Sequence, residues 1–138
     1  MERLLRLLLK IAADRFPVAR IRIDIRVYLA LMSWISDKGY LKTGSIADVA
    51  EKMNLSPEQL SFFCSERLGK PFRQIRKEHR IREAEILLKE NPEMSLKELG
   101  LSVGIPDKSD LRKQFRDVTG MYPSEWINVE QNKNKSLK

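Results

Sequence analysis

The side chains in this sequence that can do chemistry are mostly donors of hydrogen bonds and of positive charge. Lys108, Ser109, Asp110, Arg112, Lys113 and Arg116 lie in one stretch bounded by Pro106 and Gly120. Lys and Arg can donate to guanine O6 and N7, Ser can donate or accept, and Asp can accept from cytosine N4 or pair with a neighbouring cation. Lys70, Arg73, Arg76, Lys77, Arg80 and Arg82 crowd a second stretch against one acid, Glu78. Such a cluster holds phosphates or keeps a helix solvated, and two or three of Lys70, Arg73, Arg76, Lys77 and Arg80 are expected to touch phosphate. Material for catalysis is sparse. There is one histidine, His79, and one cysteine, Cys64, with no Ser-His-Asp order and no phosphate loop, so an enzyme is not expected. His79 reads as a surface residue and Cys64 as a small core residue. Together they cannot form the usual zinc or haem sites, and no metal or cofactor is expected.

The elements that must position these groups come in two copies. The first runs Ser45-Ile46-x-x-Val49-Ala50-x-x-Met53-Asn54-Leu55-Ser56, then Leu60, Cys64 and Gly69. The second runs Ser95-Leu96-x-x-Leu99-Gly100-x-x-Val103-Gly104-Ile105-Pro106, then Leu111, Phe115 and Gly120. The offset is 50 residues up to the turn and 51 after it. Each copy predicts a short helix, a tight turn and a second helix ending at glycine, the helix-turn-helix unit whose second helix enters the major groove of DNA.

Bulk properties agree with a nucleic-acid partner. The chain has 138 residues, enough for one domain or one domain with an appendage. Its 26 Lys+Arg against 19 Asp+Glu give a net charge of +7, which favours anionic partners. A lone cysteine rules out an intramolecular disulfide, and a cytoplasmic setting is expected. The start, Met1 to Lys10, has the look of a signal peptide, but Arg6 and Lys10 break its apolar run and no small-residue cleavage site follows. No stretch reaches the roughly 18–20 apolar residues needed to cross a bilayer.

Along the chain, residues 2–14 are amphipathic at helical spacing, with Leu4, Leu8 and Ile11 sharing a face with Leu5, Leu9 and Ala12. The helix should end near Phe16-Pro17. In residues 19–35, Ile21, Ile23, Ile25 and Val27 alternate with Arg20, Arg22, Asp24 and Arg26 at strand period, while Ile21, Ile25, Tyr28, Met32 and Ile35 form a helical stripe. Length, Ala-Leu-Met content and the lack of a partner strand favour helix over strand for 19–27. Ser45, Ser56 and Ser95 are N-caps, and Pro57 suits a first helical position. A long helix is predicted over residues 72–90, a recognition helix from Lys108 to about Val118, and a short helix starting at Ser124. Trp34, Trp126 and Tyr122 read as packing anchors. Residues 128–138, polar from Gln131 onward, read as a disordered tail.

Arg80-Ile81-x-x-Ala84-x-x-Leu87-Leu88 in the long helix, Val103-Gly104-Ile105-x-Asp107-x-Ser109-x-Leu111-x-x-x-Phe115-Arg116, and Thr119-Gly120-Met121-x-Pro123-x-x-Trp126 resemble the DNA-binding domain of the AraC/XylS family of bacterial transcription regulators. The resemblance covers residues 45–127, three-fifths of the chain. It implies an all-α fold of two helix-turn-helix subdomains, 45–69 and 95–120, joined by the helix 72–90; residues 1–44, read from their own periodicity, are expected as an N-terminal helical extension. A 19-residue rod is roughly 28 Å long, against roughly 34 Å between successive major grooves on one DNA face, so the two units could address adjacent turns with some bending.

The resemblance puts Lys108, Ser109, Asp110, Arg112 and Lys113 in the groove and Arg116 on phosphate, and it gives Arg80 a structural role. Arg73, Arg76 and Lys77 are backbone candidates, with Lys42, Ser56 and Ser95 weaker ones near helix starts. The first recognition helix departs from the family. Phe62 stands where arginine is frequent and Ser65 where a basic residue is frequent, and Pro57–Arg67 carries a net charge of −1. Gln59 can read adenine, Ser61 either role, and Phe62 thymine methyls. An exposed aromatic would equally suit a protein contact.

The expected partner is duplex DNA, with RNA polymerase as a protein partner and activation more frequent than repression. Residues 1–44 are too short for a sensor domain and would serve local core packing, docking onto the reader, dimerisation or attachment of a sensor. The competing expectations are a protein-interaction adaptor on a helix-turn-helix fold and, more remotely, a membrane-surface protein using residues 2–14.

Overall fold

Side-chain caps set where four of the helices begin. A computed structural model describes residues 2–15 and 18–136, and among them it forms eight α-helices, one 3-10 turn and no strand. The helices are α1 (Glu2–Arg15), α2 (Val18–Ser36), α3 (Ile46–Lys52), α4 (Pro57–Arg67), α5 (Phe72–Glu90), α6 (Leu96–Val103), α7 (Lys108–Thr119) and α8 (Pro123–Ser136), with the 3-10 turn at Gly39–Leu41. Ser45 and Ser56 each close a capping box, with Asp48 and Gln59 respectively, and Ser95 and Asp107 accept the amides of Glu98 and Asp110. Each such cap satisfies a backbone donor that the first turn leaves open, worth about 1 kcal/mol.

The chain divides into two compact units, residues 1–39 with 44–73 and residues 40–43 with 74–138. By this division α1 and α2 fall in the same unit as the first motif. Residues 19–27 are helical, as favoured over strand. The buried line of α2 is Asp24, Val27, Tyr28 and Leu31, one step round from the predicted stripe, whose Ile21, Ile25, Met32 and Ile35 are half-buried. The shift has an electrostatic cause. Asp24 turns inward to meet Arg67 of α4, Oδ2 to Nε 2.9 Å, with both side chains about nine-tenths buried. Removing one partner would strand the other charge in the core. Val27, Leu31, Leu60, Phe63 and Cys64 fill this core, and Trp34 packs on Phe72 with ring centres 5.2 Å apart. Leu8 is buried, Leu4 and Leu5 are half-buried; the Phe16-Pro17 break and the side chains of Leu9, Ile11 and Ala12 lie outside the described residues.

In the second unit Ile81, Ala84, Leu88, Leu99, Val103, Ile105, Leu111, Phe115 and Trp126 form one core, with Phe115 edge-on to Trp126 at 5.9 Å. Arg80 is buried and donates to the carbonyls of Tyr40 and Lys42, so its role is structural. Burial first, and the Arg76 charge second, pull its pKa down to about 10. His79 is not the plain surface residue expected: it is half-buried and stacks on Tyr40 at 5.1 Å, and burial holds its pKa below the usual histidine value.

The one-residue change of offset has a structural origin. In the first motif Asn54 takes the left-handed conformation (φ 57°) two residues before the Ser56 cap, whereas in the second Gly104 (φ 78°) stands three residues before the Asp107 cap. Gly104 has no alternative. Besides its positive φ, a Cβ there would lie 2.6 Å from the Leu41 carbonyl oxygen.

The last helix also departs from expectation. It runs to Ser136 instead of stopping before a disordered tail from 128. From Ser124 to Ser136 there is neither glycine nor proline, Glu130 meets Lys133 at 3.4 Å and Lys89 at 4.0 Å, and the Ser136 hydroxyl donates to the Asn132 carbonyl. Polar composition alone does not stop a helix whose residues favour it.

Candidate nucleic-acid interface

Helix α7 is aimed by two residues one turn apart. Leu111 and Phe115 are fully buried, which fixes the rotation of the helix about its axis. At its start, Asp107 Oδ1 accepts the Asp110 amide at 2.9 Å; at its end, Gly120 closes it in the left-handed conformation. With the inward stripe pinned, Lys108, Ser109, Asp110, Arg112, Lys113 and Arg116 are all exposed. Among the described residues no acid pairs with Lys108, Arg112 or Lys113, and no cation pairs with Asp110, so their donors and acceptors point to solvent unspent. Arg116 is held differently: its guanidinium lies 5.0 Å from the Tyr122 ring centre and Nη1 donates to the Tyr122 hydroxyl at 3.0 Å. Tyr122 itself is exposed, so it serves as a rest for Arg116 and not as the core anchor expected. Ser109, Arg112, Lys113, Arg116 and Tyr122 border a shallow concavity of about 520 Å³.

The backbone candidates fall into three groups. Arg73 is exposed and lies in the first unit. Arg76 is half-buried, and burial lowers its pKa. Lys77 is also half-buried and meets Asp117 at 3.6 Å, which diverts part of its charge from a phosphate. Ser56 and Ser95 are exposed, but their hydroxyl oxygens accept the amides of Gln59 and Glu98; each hydroxyl proton stays available to donate.

Helix α4 is aimed in the same way, by Leu60, Phe63 and Cys64, and shows a different face. Glu58, Ser61, Phe62, Ser65 and Glu66 are exposed. Gln59 is half-buried, and its Oε1 accepts the Ser56 amide at 3.0 Å, so one of the oxygen's two lone pairs is already committed to the cap. The one cation of the helix, Arg67, is turned inward to Asp24. Above the Phe62 ring sits Arg20 of α2, its guanidinium carbon 3.8 Å from the ring centre, a cation–π contact. Burial pushes the Cys64 thiol up to about 11, so it carries no thiolate reactivity at neutral pH.

Sequence reasoning missed Arg20, Asp24, Asp107 and Tyr122. Asp107 was visible as a cap candidate three residues before Asp110, and Asp24 as the lone acid in an apolar helix; the pairings of Arg20 and Tyr122 depend on tertiary packing and left no signal. Among the described residues no group of His, Cys, Asp or Glu could hold a metal ion, and no helix is long and apolar enough to cross a membrane.

A family model described as a helix-turn-helix domain matches residues 49–128. The chain is 33% identical over 93 residues to the arabinose operon regulatory protein of Escherichia coli, covering 67% of this chain and 32% of that protein. It is 26% identical over 128 residues to the Msm operon regulatory protein of Streptococcus mutans, covering 91% of this chain and 46% of that protein. It thus spans about a third of the first relative and under half of the second. Two crystal structures share the fold. A DNA-binding transcriptional dual regulator from Escherichia coli has a TM-score of 0.63 at 22% identity, over 80% of this chain and 93% of that one. The C-terminal domain of the two-component response regulator yesN from Fusobacterium nucleatum has a TM-score of 0.61 at 23% identity, over 70% and 94%.

Proposed function

The chain belongs to the AraC-type helix-turn-helix family, a family of DNA-binding transcription regulators, and from that premise we propose that it is a sequence-specific, cytoplasmic regulator that reads the major groove mainly with α7. The observation that carries this reading is the outer face of α7: three unpaired cations, Lys108, Arg112 and Lys113, on a helix whose rotation Leu111 and Phe115 fix. Base edges are read by Arg112, Lys113, Lys108 and Ser109, with Asp110 accepting from cytosine or rejecting guanine and thymine acceptors. Arg116, braced on Tyr122, is set at the rim for a phosphate, and Arg73, Arg76 and Lys77 add backbone contacts. The protein partners this role brings are RNA polymerase and, through the helices before residue 45, a second copy or a sensor domain.

Selection of DNA from a random pool tests the proposal and returns the site at once. A regulator enriches one sequence and holds it about a thousandfold or more above mixed duplex, with affinity falling steeply as salt rises. A chain that enriches nothing and ignores every duplex at low salt is not a regulator.

One observation favours a second reading, an adaptor that binds protein. The face of α4 carries Glu58 and Glu66 beside Phe62, and negative charge repels phosphate. On this reading specific DNA binding is weak or absent, and the same salt titration shows neither steep slope nor sequence preference.

A further inference from the structure

We infer that the second unit carries a binding site for a small amphipathic monocarboxylate, an apolar body with one anionic end, in the groove beside the start of α8. The groove measures about 570 Å³, inside the range of roughly 300–1,000 Å³ typical of small-ligand sites. Its walls are side chains of the core margin: Leu88 of α5, Leu96 of α6 and Ile127 of α8, with Met94 from the preceding loop. Pro123 adds a wall without an amide donor. These surfaces can receive an alkyl or aryl body but offer nothing to a second charge.

The groove also has a polar lining with one cation. Arg112 lines it and pairs with no acid among the described residues. Tyr122 lines it too, and because its hydroxyl oxygen accepts from Arg116, the phenol proton remains free to donate. Ser124 supplies a further hydroxyl. A carboxylate fits this set: a guanidinium binds it in a fork, and the two hydroxyls donate to its remaining lone pairs. Glu125 is exposed and does not line the groove.

Arg112 also borders the concavity on the recognition face. It cannot bind a carboxylate and a base edge at once, so the ligand competes with DNA for one side chain. This consequence rests on the proposed DNA-reading role of α7; the site itself does not.

Octanoate, 1-octanol and octylamine share a chain and differ in charge, so they serve as probes. Titrated into the full chain, octanoate should move the Met94 and Ile127 methyl resonances saturably, octanol should bind about tenfold more weakly for want of a charged hydrogen bond, and octylamine should not bind. Arg112→Gln should bring octanoate down to the octanol level. Ser124→Trp, at an exposed lining position, should block the groove and abolish the shifts; Ile127→Trp fills it from the apolar wall if that variant folds poorly. Absence of saturation, octanol binding as tightly as octanoate, or undiminished binding in the folded tryptophan variants overturns the site. Octanoate should also release selected duplex from the wild type but not from Ser124→Trp. A chain that binds octanoate and no duplex leaves the site standing and defeats only the DNA reading; a chain that binds both without competition shows that Arg112 is not shared.

Discussion

Cys64 and Phe115 occupy the same place in the two motifs, 51 residues apart, and both are fully buried. Around them the scaffold repeats: a capped short helix, a turn through a left-handed residue, and a second helix pinned by Leu60 or Leu111. The outward faces do not repeat. Helix α7 presents Lys108, Arg112, Lys113 and Arg116, whereas α4 presents Glu58, Phe62 and Glu66 and spends Arg67 on Asp24 inside the protein. Inward positions must stay apolar in both copies, even where the residue differs as at Cys64 and Phe115; outward positions are free to diverge. Charge on the outer face is therefore what distinguishes the two second helices of one repeated scaffold.

The comparison is broken most forcefully from the inside. Phe115→Ala removes a ring that packs edge-on to Trp126 and should cost about 3–5 kcal/mol, while Cys64→Ala, losing one sulfur, should cost about 1 kcal/mol. Urea denaturation followed by tryptophan fluorescence measures both, and equal losses would mean that Phe115 contributes no more to its core than Cys64 does to the other. The turns come next. Gly104→Ala meets both a positive φ and the Leu41 carbonyl and should cost about 2–3 kcal/mol. Asn54→Ala meets only the backbone preference, about 1–2 kcal/mol. A tolerant Gly104 would mean that residues 40–43 do not hold the second turn as described.

Much of this was legible beforehand, for reasons that differ by element. The motif helices were, because caps, turn residues and apolar spacing all point the same way at Ser45, Ser56, Ser95 and Gly104. The exposure of the α7 residues followed from locating Leu111 and Phe115. The rotation of α2 did not, because a buried Asp24 breaks the apolar pattern and only Arg67, 43 residues away, explains it. The length of α8 was not, because polar composition points to disorder where the Glu130 contacts and the absence of glycine and proline hold a helix. His79 and Tyr122 exchanged expected roles, since ring stacking on Tyr40 and support of Arg116 are tertiary facts.

Base preference should separate the two faces by smaller energies. Arg112→Ala or Lys113→Ala should lose about 1–3 kcal/mol of discrimination between the selected site and its single-base variants, and Ser61→Ala or Ser65→Ala no more than about 0.5 kcal/mol. Competition binding at fixed salt reads the difference. Unchanged specificity in both α7 variants removes that helix as the reader, and a large loss in the serine variants moves reading to α4.

Phe62→Arg gives the smallest effect and bears most directly on α4. The substitution adds a cation between Glu58 and Glu66, and it takes away the ring on which Arg20 rests, so like-charge repulsion turns Arg20 toward solvent as well. If this face meets DNA, each new phosphate contact should steepen the salt dependence of non-specific binding by about one unit of log–log slope and raise affinity at low salt. If α4 faces a protein partner instead, the slope and the affinity stay where they were while α7 continues to read its site. A titration of mixed-sequence duplex at several salt concentrations decides between them, because an added cation near the phosphates releases counterions and one facing away does not.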